Sequence, residues 1–249
     1  PMELQEFFRQ NPRAALGFSG GVDSSYLLYA ARQYGAEVQP YYIKTAFQPE
    51  FEFEDAKRLC REIGAELTVL ELDALADPAV AANPADRCYS CKRALFGTLS
   101  RRALEDGYTL LLDGTNASDD TGDRPGMRAL RELAVRSPLR ECGLTKAEIR
   151  ARSKEAGLFT WDKPAYACLA TRIPAGETIT AEKLEKTERA ETYLFSLGLT
   201  DFRVRYFAGA ARIQVPEGQL PLVLEKRAEI LTELKKDYPA VLLDLEVRG

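Results

Sequence analysis

The run Ala14-Ala15-Leu16-Gly17-Phe18-Ser19-Gly20-Gly21-Val22-Asp23-Ser24-Ser25 decides the fold. Residues 14–18 are a short apolar run that ends in a Ser-Gly-Gly turn, and they read as a buried first strand. Residues 23–34 read as a helix that Gly35 stops. Small residues on a tight turn let backbone N–H groups approach phosphate oxygens. The helix that follows adds its positive N-terminal end. Ser19, Ser24 and Ser25 add hydroxyl donors, and Asp23 is a candidate ligand for Mg²⁺, which screens phosphate charge. The loop lacks the lysine of a Walker-A motif and is not a GxGxxG dinucleotide loop. A glycine turn capped by serines is the plainer reading of two glycines alone. The whole string, set between a buried strand and a helix, is far more specific and points to a phosphate-binding loop.

Working outward, residues 38–44 and 66–72 read as further strands. Between them, Phe53, Ala56, Cys60 and Ile63 fall at helical spacing over 50–63, and Gly64 is the stop. A helix over 91–105 leads to a fourth strand at 108–113. Thr145 and Glu148 form a capping box for a helix that Gly157 ends. Strands alternating with helices predict an α/β fold, a parallel sheet covered by helices on both faces. Ligands of such sheets sit at the carboxyl ends of the strands. The Ser19–Ser25 turn and the turn Gly114-Thr115-Asn116-Ala117-Ser118-Asp119-Asp120 both fall at such ends. After Gly176 the pattern changes to a helix (181–197), two strands (202–207 and 212–215), a helix (218–236) and a strand (241–247). This predicts a first domain over 1–175 and a small α+β domain over 176–249, for substrate or oligomerisation.

The chain has 249 residues, 45% hydrophobic and 29% charged, enough for one α/β domain and a smaller one. No apolar run spans a bilayer, and the first residues lack a basic start before an apolar core. The expectation is therefore a cytoplasmic protein without a membrane partner. A net charge of −4 argues against a nucleic-acid substrate, which usually leaves a basic footprint. There is no histidine. That removes the commonest general base and metal ligand, so any metal site rests on Cys, Asp or Glu.

Asp119 or Asp120 can supply a second carboxylate to Mg²⁺, and Arg124 and Arg128 can hold a substrate carboxylate or phosphate. A plain polar loop and solvated surface arginines are the competing readings. Five cysteines without a secretory signal argue against a disulfide framework. Cys60 fits the apolar face of its helix, so packing is its expected role. Cys142 has no recognisable partner pattern. Cys88-Tyr89-Ser90-Cys91 is a CxxC pair open to a redox dithiol, half a zinc site or an iron–sulfur site. If Cys168 folds back to the pair, three thiolates would hold a [4Fe–4S] cluster with one iron open to a ligand such as hydrosulfide. A helix-capping CxxC beside a separate buried thiol is the plain alternative. Arg203 and Arg205 fall on one strand face with period two, and with Arg212 they can clasp a phosphate; an ordinary polar strand face is the equal alternative.

The Ser19–Ser25 string resembles the SGGxDS signature of the PP-loop ATP pyrophosphatases, which cleave ATP between the α and β phosphates and adenylate a substrate oxygen. Arg87–Lys92, Gly114–Asn116, Arg124-Pro125-Gly126, Arg136-Ser137-Pro138-Leu139 and Ala167–Arg172 recur with it in this order in the LarE family. The resemblance covers essentially the whole chain. It implies an ATP-dependent sulfur transferase of nickel-pincer nucleotide cofactor biosynthesis. Such an enzyme adenylates a carboxylate of pyridinium-3,5-biscarboxylic acid mononucleotide and turns it into a thiocarboxylate. It further implies ATP bound by Ser19–Ser25, Gly114 and Asn116, Mg²⁺ at Asp23 and Asp119, a small nucleotide substrate and a homo-oligomer. Some members sacrifice the sulfur of a single cysteine at the Cys168 position. Others carry three cysteines, and the Cys88, Cys91 and Cys168 set resembles that cluster-dependent type, fed by sulfide or another sulfur donor. Members often have a His in the stretch matching 205–209; here Tyr206 and Phe207 stand instead. The runner-up classes are a PP-loop amide ligase or tRNA thiolase, and a non-catalytic nucleotide or iron–sulfur binding protein.

Overall fold

The computed structural model describes residues 2–119 and 125–248. The chain forms two compact units, one of Pro1–Ala74 with Asp86–Lys163 and one of Leu75–Ala85 with Pro164–Gly249. The segment that bears Cys168 thus belongs to the second unit, where the sequence reading had counted residues up to 175 with the first.

The first unit opens with α1 (Leu4–Gln10), β1 (Arg13–Gly17), α2 (Val22–Gln33), β2 (Glu37–Lys44), α3 (Glu50–Glu62) and β3 (Thr68–Glu71). The chain leaves this unit for α4 (Pro78–Ala81). It returns as α5 (Arg87–Glu105), β4 (Leu111–Leu112), α6 (Pro125–Glu132), α7 (Pro138–Glu141) and α8 (Lys146–Glu155). The four strands lie in the order β3-β2-β1-β4, and every pairing is parallel. Side chains alternate across β1, as strand geometry requires. Ala14 and Leu16 pack with Leu27 and Leu28 of α2 and Ala56, Leu59 and Cys60 of α3. Ala15 faces the other way, onto Tyr41 of β2 and Leu99 and Ala103 of α5. Helices therefore cover both faces of this α/β sheet. Burying a leucine such as Leu16 or Leu28 contributes about 1.5–3 kcal/mol over leaving it in water.

The turns that end the helices carry the expected glycines. Gly35 and Gly64 adopt φ of 75° and 69°, a left-handed conformation that only glycine takes at little cost. Two boundaries differ from the sequence reading. Helix α5 begins at Arg87 rather than near 91, because the Tyr89 N–H already bonds the Asp86 carbonyl (2.8 Å) and no Gly or Pro interrupts the turn. Cys88 and Cys91 therefore ride on its first turn. Strand β4 is shorter than 108–113, because the Tyr108 N–H is taken by the Ala103 carbonyl that ends α5 (2.7 Å). Backbone pairing with β1 starts only where the Leu110 carbonyl meets the Ala15 N–H (2.9 Å).

The second unit consists of α4, α9 (Ala181–Ser196), β5 (Arg203–Phe207), β6 (Ala210–Gln214), α10 (Leu220–Glu225), α11 (Arg227–Leu234) and β7 (Val241–Leu243). Its sheet order is β5-β6-β7, with β5 and β6 antiparallel and β6 and β7 parallel. Ala208 and Gly209, at φ of 48° and 84°, make the two-residue turn whose twist suits a hairpin. Val204, Ala211 and Ile213 of this sheet pack on Ala190 and Leu194 of α9 and on Ile230 and Leu234 of α11. The helix expected over 218–236 is broken at Lys226, and nothing in the local sequence explains the break. Asn83 ties the 75–85 segment into this unit. Its side-chain amide donates to the carbonyls of Ile173, Pro174 and Glu177 at 2.8–3.2 Å, and its own carbonyl accepts from Gly176. Among the described residues no helix is long and apolar enough to cross a membrane.

Candidate active site

In the first unit the Ser19–Ser25 loop joins the end of β1 to the start of α2. Gly21 caps that helix without a side-chain cap bond, so among the described residues the N–H groups of its opening turn are available to an anion. The hydroxyls of Ser19 and Ser24 lie 3.1 Å apart, and the Ser19 hydroxyl accepts from the Gly21 N–H (3.3 Å). Gly20, at φ 73°, lets the loop lie on α3: a Cβ there would stand 3.0–3.1 Å from Ala56. Lys163 braces the same junction. Its ammonium lies 3.0 Å from Glu52, 2.8 Å from Asp55 and 3.5 Å from the Gly20 carbonyl.

The turn after β4 meets this loop side by side. A Cβ on Gly114 would come within 3.0 Å of the Ser24 amide nitrogen, so the absence of a side chain sets how closely the two turns approach. Asp113 braces the second turn, accepting from the Thr115 hydroxyl and from Ser137, both at 2.6 Å. Asn116 is buried; its side-chain oxygen Oδ1 accepts from the Ser118 N–H and its backbone N–H donates to the Asp119 carboxylate, both at 2.8 Å. Together the turns enclose a mostly polar cavity of about 220 Å³ lined by Gly17, Ser19, Gly21, Asp23, Ser24, Gly114, Thr115 and Asp119. The two polar turns expected at one rim are thus brought together. Of the expected ATP set, Ser19, Gly21, Asp23, Ser24 and Gly114 line the cavity, and Gly20, Val22, Ser25 and Asn116 do not.

Asp23 carries the charge of this cavity. One oxygen, Oδ2, accepts from Lys146 at 2.6 Å. The other, Oδ1, is buried without a hydrogen-bond partner among the described residues. Burial pushes the Asp23 carboxyl above its ordinary value. The Asp119 charge adds to this, while Lys146 and the Asn116 amide pull against it. An orphaned carboxylate oxygen beside a second carboxylate suits a divalent cation. Mg²⁺ is typically held by one or two carboxylates, with phosphate and water completing its shell. Among the described residues no three Cys, Asp or Glu side chains are gathered as a metal site.

The other predicted positions divide. Arg128 does not line this cavity; its guanidinium sits 4.1 Å over the Tyr89 ring, beside the cysteine turn of α5. Arg124 and Asp120 lie outside the described residues. Cys88 is exposed and Cys91 half-buried, one helical turn apart on the same face. Cys60 is buried in the apolar core, and burial pushes its thiol up to about 12, which fits a packing role.

In the second unit Cys168 opens a short turn that wraps around Arg172. The Arg172 guanidinium donates to the carbonyls of Ala167 (3.1 Å) and Cys168 (3.5 Å) and forms a two-pronged pair with Glu191 at 2.7 and 3.1 Å. Both are 1% exposed. Glu191 also accepts from the Tyr166 hydroxyl and from the Val204 N–H at 2.9 Å, so its lone pairs are filled. The sequence reading did not single out this set. Its signal was a charged residue among Thr187, Ala190 and Leu194, the buried face of α9.

Next to this turn lie the strand arginines. Arg205 and Arg212 are directly opposed across β5 and β6, and Arg203 lies two residues back on the same face. Arg205 donates to the Thr171 carbonyl (3.4 Å), so the arginine face adjoins the Cys168 turn. Burial, Arg172 and Arg248 depress Arg203 to about 10, and burial with the same neighbours and Arg212 lowers Arg205. The pair is partly compensated within the unit: Arg212 lies 3.3 Å from the Asp244 carboxylate, and Arg205 donates to the Gln214 side-chain oxygen at 3.0 Å. Arg203 itself is 5% exposed and spends its donors on the carbonyls of Phe202 and Ala165 at 2.7 and 2.8 Å, which makes it a brace for the strand.

The chain is similar in sequence to several known proteins. The family model described as queuosine biosynthesis protein QueC matches residues 13–90, the span from β1 to the cysteine turn. The chain is 34% identical over 210 residues to the pyridinium-3,5-bisthiocarboxylic acid mononucleotide synthase of Lactiplantibacillus plantarum, covering 84% of this chain and 76% of that protein. It is 42% identical over 220 residues to an uncharacterized protein of Synechocystis sp., covering 87% and 81%. An uncharacterized protein of Methanocaldococcus jannaschii is 29% identical over 245 residues, covering 98% and 93%.

Proposed function

Since this chain belongs to the LarE family of PP-loop enzymes, that of the synthase just described, we propose that it is an ATP-dependent sulfur transferase acting on pyridinium-3,5-biscarboxylic acid mononucleotide. The observation that carries this reading is the cavity between the Ser19–Ser25 and Gly114–Asp119 turns, with helix-end amides on one side and the orphaned Asp23 oxygen on the other.

The amides of α2 and the hydroxyls of Ser19 and Ser24 bind the ATP phosphates. Asp23 and Asp119 hold Mg²⁺, which neutralises phosphate charge when bound. A substrate carboxylate oxygen bonds to the α-phosphorus, the α–β bridging bond breaks, and pyrophosphate leaves. This makes an acyl-adenylate, whose leaving group is AMP instead of oxide. Sulfur then bonds to the acyl carbon, AMP departs with the C–O electrons, and the proton of hydrosulfide passes to solvent. An ionised sulfur nucleophile needs no general base, consistent with a chain that has no histidine. Arg205 and Arg212 present the cation face for the substrate phosphate, and Arg172 with Glu191 shapes the turn that carries Cys168. On the sequence resemblance, Cys88, Cys91 and Cys168 are the thiols that would hold a [4Fe–4S] cluster, which supplies a coordination position for hydrosulfide. Of these, Cys88 and Cys91 lie one helical turn apart on α5.

Anaerobic reaction of iron- and sulfide-reconstituted protein with ATP should release pyrophosphate only when the pyridinium mononucleotide is added, and Cys168 should keep its mass. Dehydroalanine at 168 would replace sulfide transfer by sacrifice of that cysteine. Pyrophosphate release driven by ammonia or tRNA instead would overturn the substrate assignment.

A further inference from the structure

The Gly20-Gly21 peptide is the one bond of the chain with glycine on both sides. Glycine has no Cβ to bias its dihedrals, so this plane turns over more easily than any other in the loop. A trans peptide points its carbonyl and its N–H in opposite directions. Here the Gly21 N–H is turned to the Ser19 hydroxyl (3.3 Å), and Ser19 and Gly21 line the cavity while Gly20 does not. The Gly20 carbonyl is turned the other way, towards the Lys163 ammonium (3.5 Å). Turned over, the plane would aim a carbonyl oxygen at an incoming phosphate and withdraw a donor.

The hold on the carbonyl end comes from outside the loop. At 3.5 Å the contact is an ion–dipole attraction rather than a short hydrogen bond, so its worth depends on how firmly the ammonium is kept in place. The base of Lys163 is fixed: its N–H donates to the Thr160 carbonyl (3.1 Å), and its carbonyl accepts from Arg150 of α8 (2.8 Å). Its ammonium sits between Glu52 and Asp55, at 3.0 and 2.8 Å, with 12% of the side chain exposed. Both carboxylates ride on α3, the helix on which Gly20 lies. Burial pushes the Glu52 carboxyl up and the Lys163 charge pulls it back, so each group keeps the other ionised in place. Lys163 does not line the cavity and spends its charge on these two carboxylates, which sets it apart from a phosphate ligand.

We propose that Lys163 is a positioning residue for the phosphate loop: gripped by Glu52 and Asp55, it keeps the Gly20-Gly21 peptide turned with its carbonyl to α3 and its N–H to the cavity, so that the Gly21 amide is set as a phosphate donor before ATP arrives. The glycine pair lets the loop lie close on α3, and the lysine removes the freedom that the same pair brings. A residue in this role changes the fraction of molecules competent to bind nucleotide, not the chemistry once nucleotide is bound. This rests on the reading of the cavity as an ATP site and deepens it.

Two variants test this: Lys163→Met made together with Glu52→Gln, so that no buried charge is stranded, and Lys163→Arg, which keeps the cation. In substrate-dependent pyrophosphate release the KM for ATP should rise about tenfold in the double variant, the shift expected if one molecule in ten keeps the competent orientation. Its kcat at saturating ATP should stay near wild type, and Lys163→Arg should recover most of the KM. Because Gly-Gly occurs once, glycine labelled with ¹³C at the carbonyl and with ¹⁵N isolates this one amide in a carbonyl–nitrogen correlation spectrum. In wild type, α,β-methylene-ATP with Mg²⁺ should move its proton downfield. In the double variant the signal should be displaced or doubled before nucleotide is added, and Lys163→Arg should return it to the wild-type position. A lowered kcat with unchanged KM, or a signal in the double variant that matches wild type, overturns the proposal. Should the double variant not fold, Asp55→Asn loosens the same grip from its exposed side and should displace the signal to a lesser degree; an unchanged signal there overturns the proposal equally. If no resonance of wild type responds to the analogue, the ATP reading fails, and the nucleotide-free spectra still decide the role of Lys163.

Discussion

At the scale of single residues, the site turns on Asp23. Its folded-state carboxyl lies above its ordinary value because burial disfavours the charge. The folded protein therefore binds that proton more tightly than the unfolded chain does. The group's contribution to stability is present at low pH and is lost as pH rises through the raised value. Asp23→Asn should accordingly melt no lower than wild type at neutral pH and show a flatter dependence of melting temperature on pH. In the same variant, substrate-dependent pyrophosphate release should drop on the order of 10²-fold. In wild type the acid limb of that activity should lie above the usual Asp range, since the proposed Mg²⁺ would need the ionised carboxylate. A variant that melts much lower at neutral pH, or that keeps its activity, contradicts the account of this residue. Asp23 was legible in the sequence because a loop motif names it. Lys146 and Lys163 were not, because a lysine's partner is chosen by tertiary folding across more than a hundred residues of chain.

At the scale of elements, the apolar patterns that mark β1, α2 and α3 were legible because each buries one face on a shared sheet, and period and turn glycine agree. Helix α1 was missed, its seven residues being too short to set a period against the noise. The start of α5 was missed because no capping side chain announces it. Helix α9 shows how a charged residue can be part of a core. Glu191 lies on its buried face and meets the Arg172 guanidinium, whose side chain is wholly buried. Removing one member strands the other without water. Glu191→Ala should therefore cost about 3–5 kcal/mol, a fall in melting temperature of roughly 10 °C for a protein of this size. Replacing both members, as in Arg172→Met with Glu191→Met, should recover much of the loss in stability without restoring sulfur transfer. A single variant that melts within a degree or two of wild type contradicts this role for the pair.

At the scale of the whole molecule, the α/β class and the helix–strand–strand–helix–strand order of the smaller unit follow from alternation and hairpin chemistry that local sequence carries. The division of the chain does not. Residues 75–85 join the second unit because Asn83 bonds carbonyls that lie far along the sequence, and such pairing leaves no periodic trace. The division also separates the candidate groups: the cavity between the Ser19–Ser25 and Gly114–Asp119 turns is built wholly by the first unit, while Cys168 and the opposed arginines Arg205 and Arg212 belong to the second. The central claim is that one chain couples cleavage of ATP at the Ser19–Ser25 loop to formation of a C–S bond. Its most direct test is an anaerobic incubation of reconstituted protein with the pyridinium mononucleotide, Mg·ATP and sulfide, followed by mass spectrometry of the small molecules. The account predicts a thiocarboxylate product, with one AMP and one pyrophosphate formed for each sulfur incorporated. Formation of AMP and pyrophosphate with no sulfur-bearing product, or of an amide in its place, would contradict it.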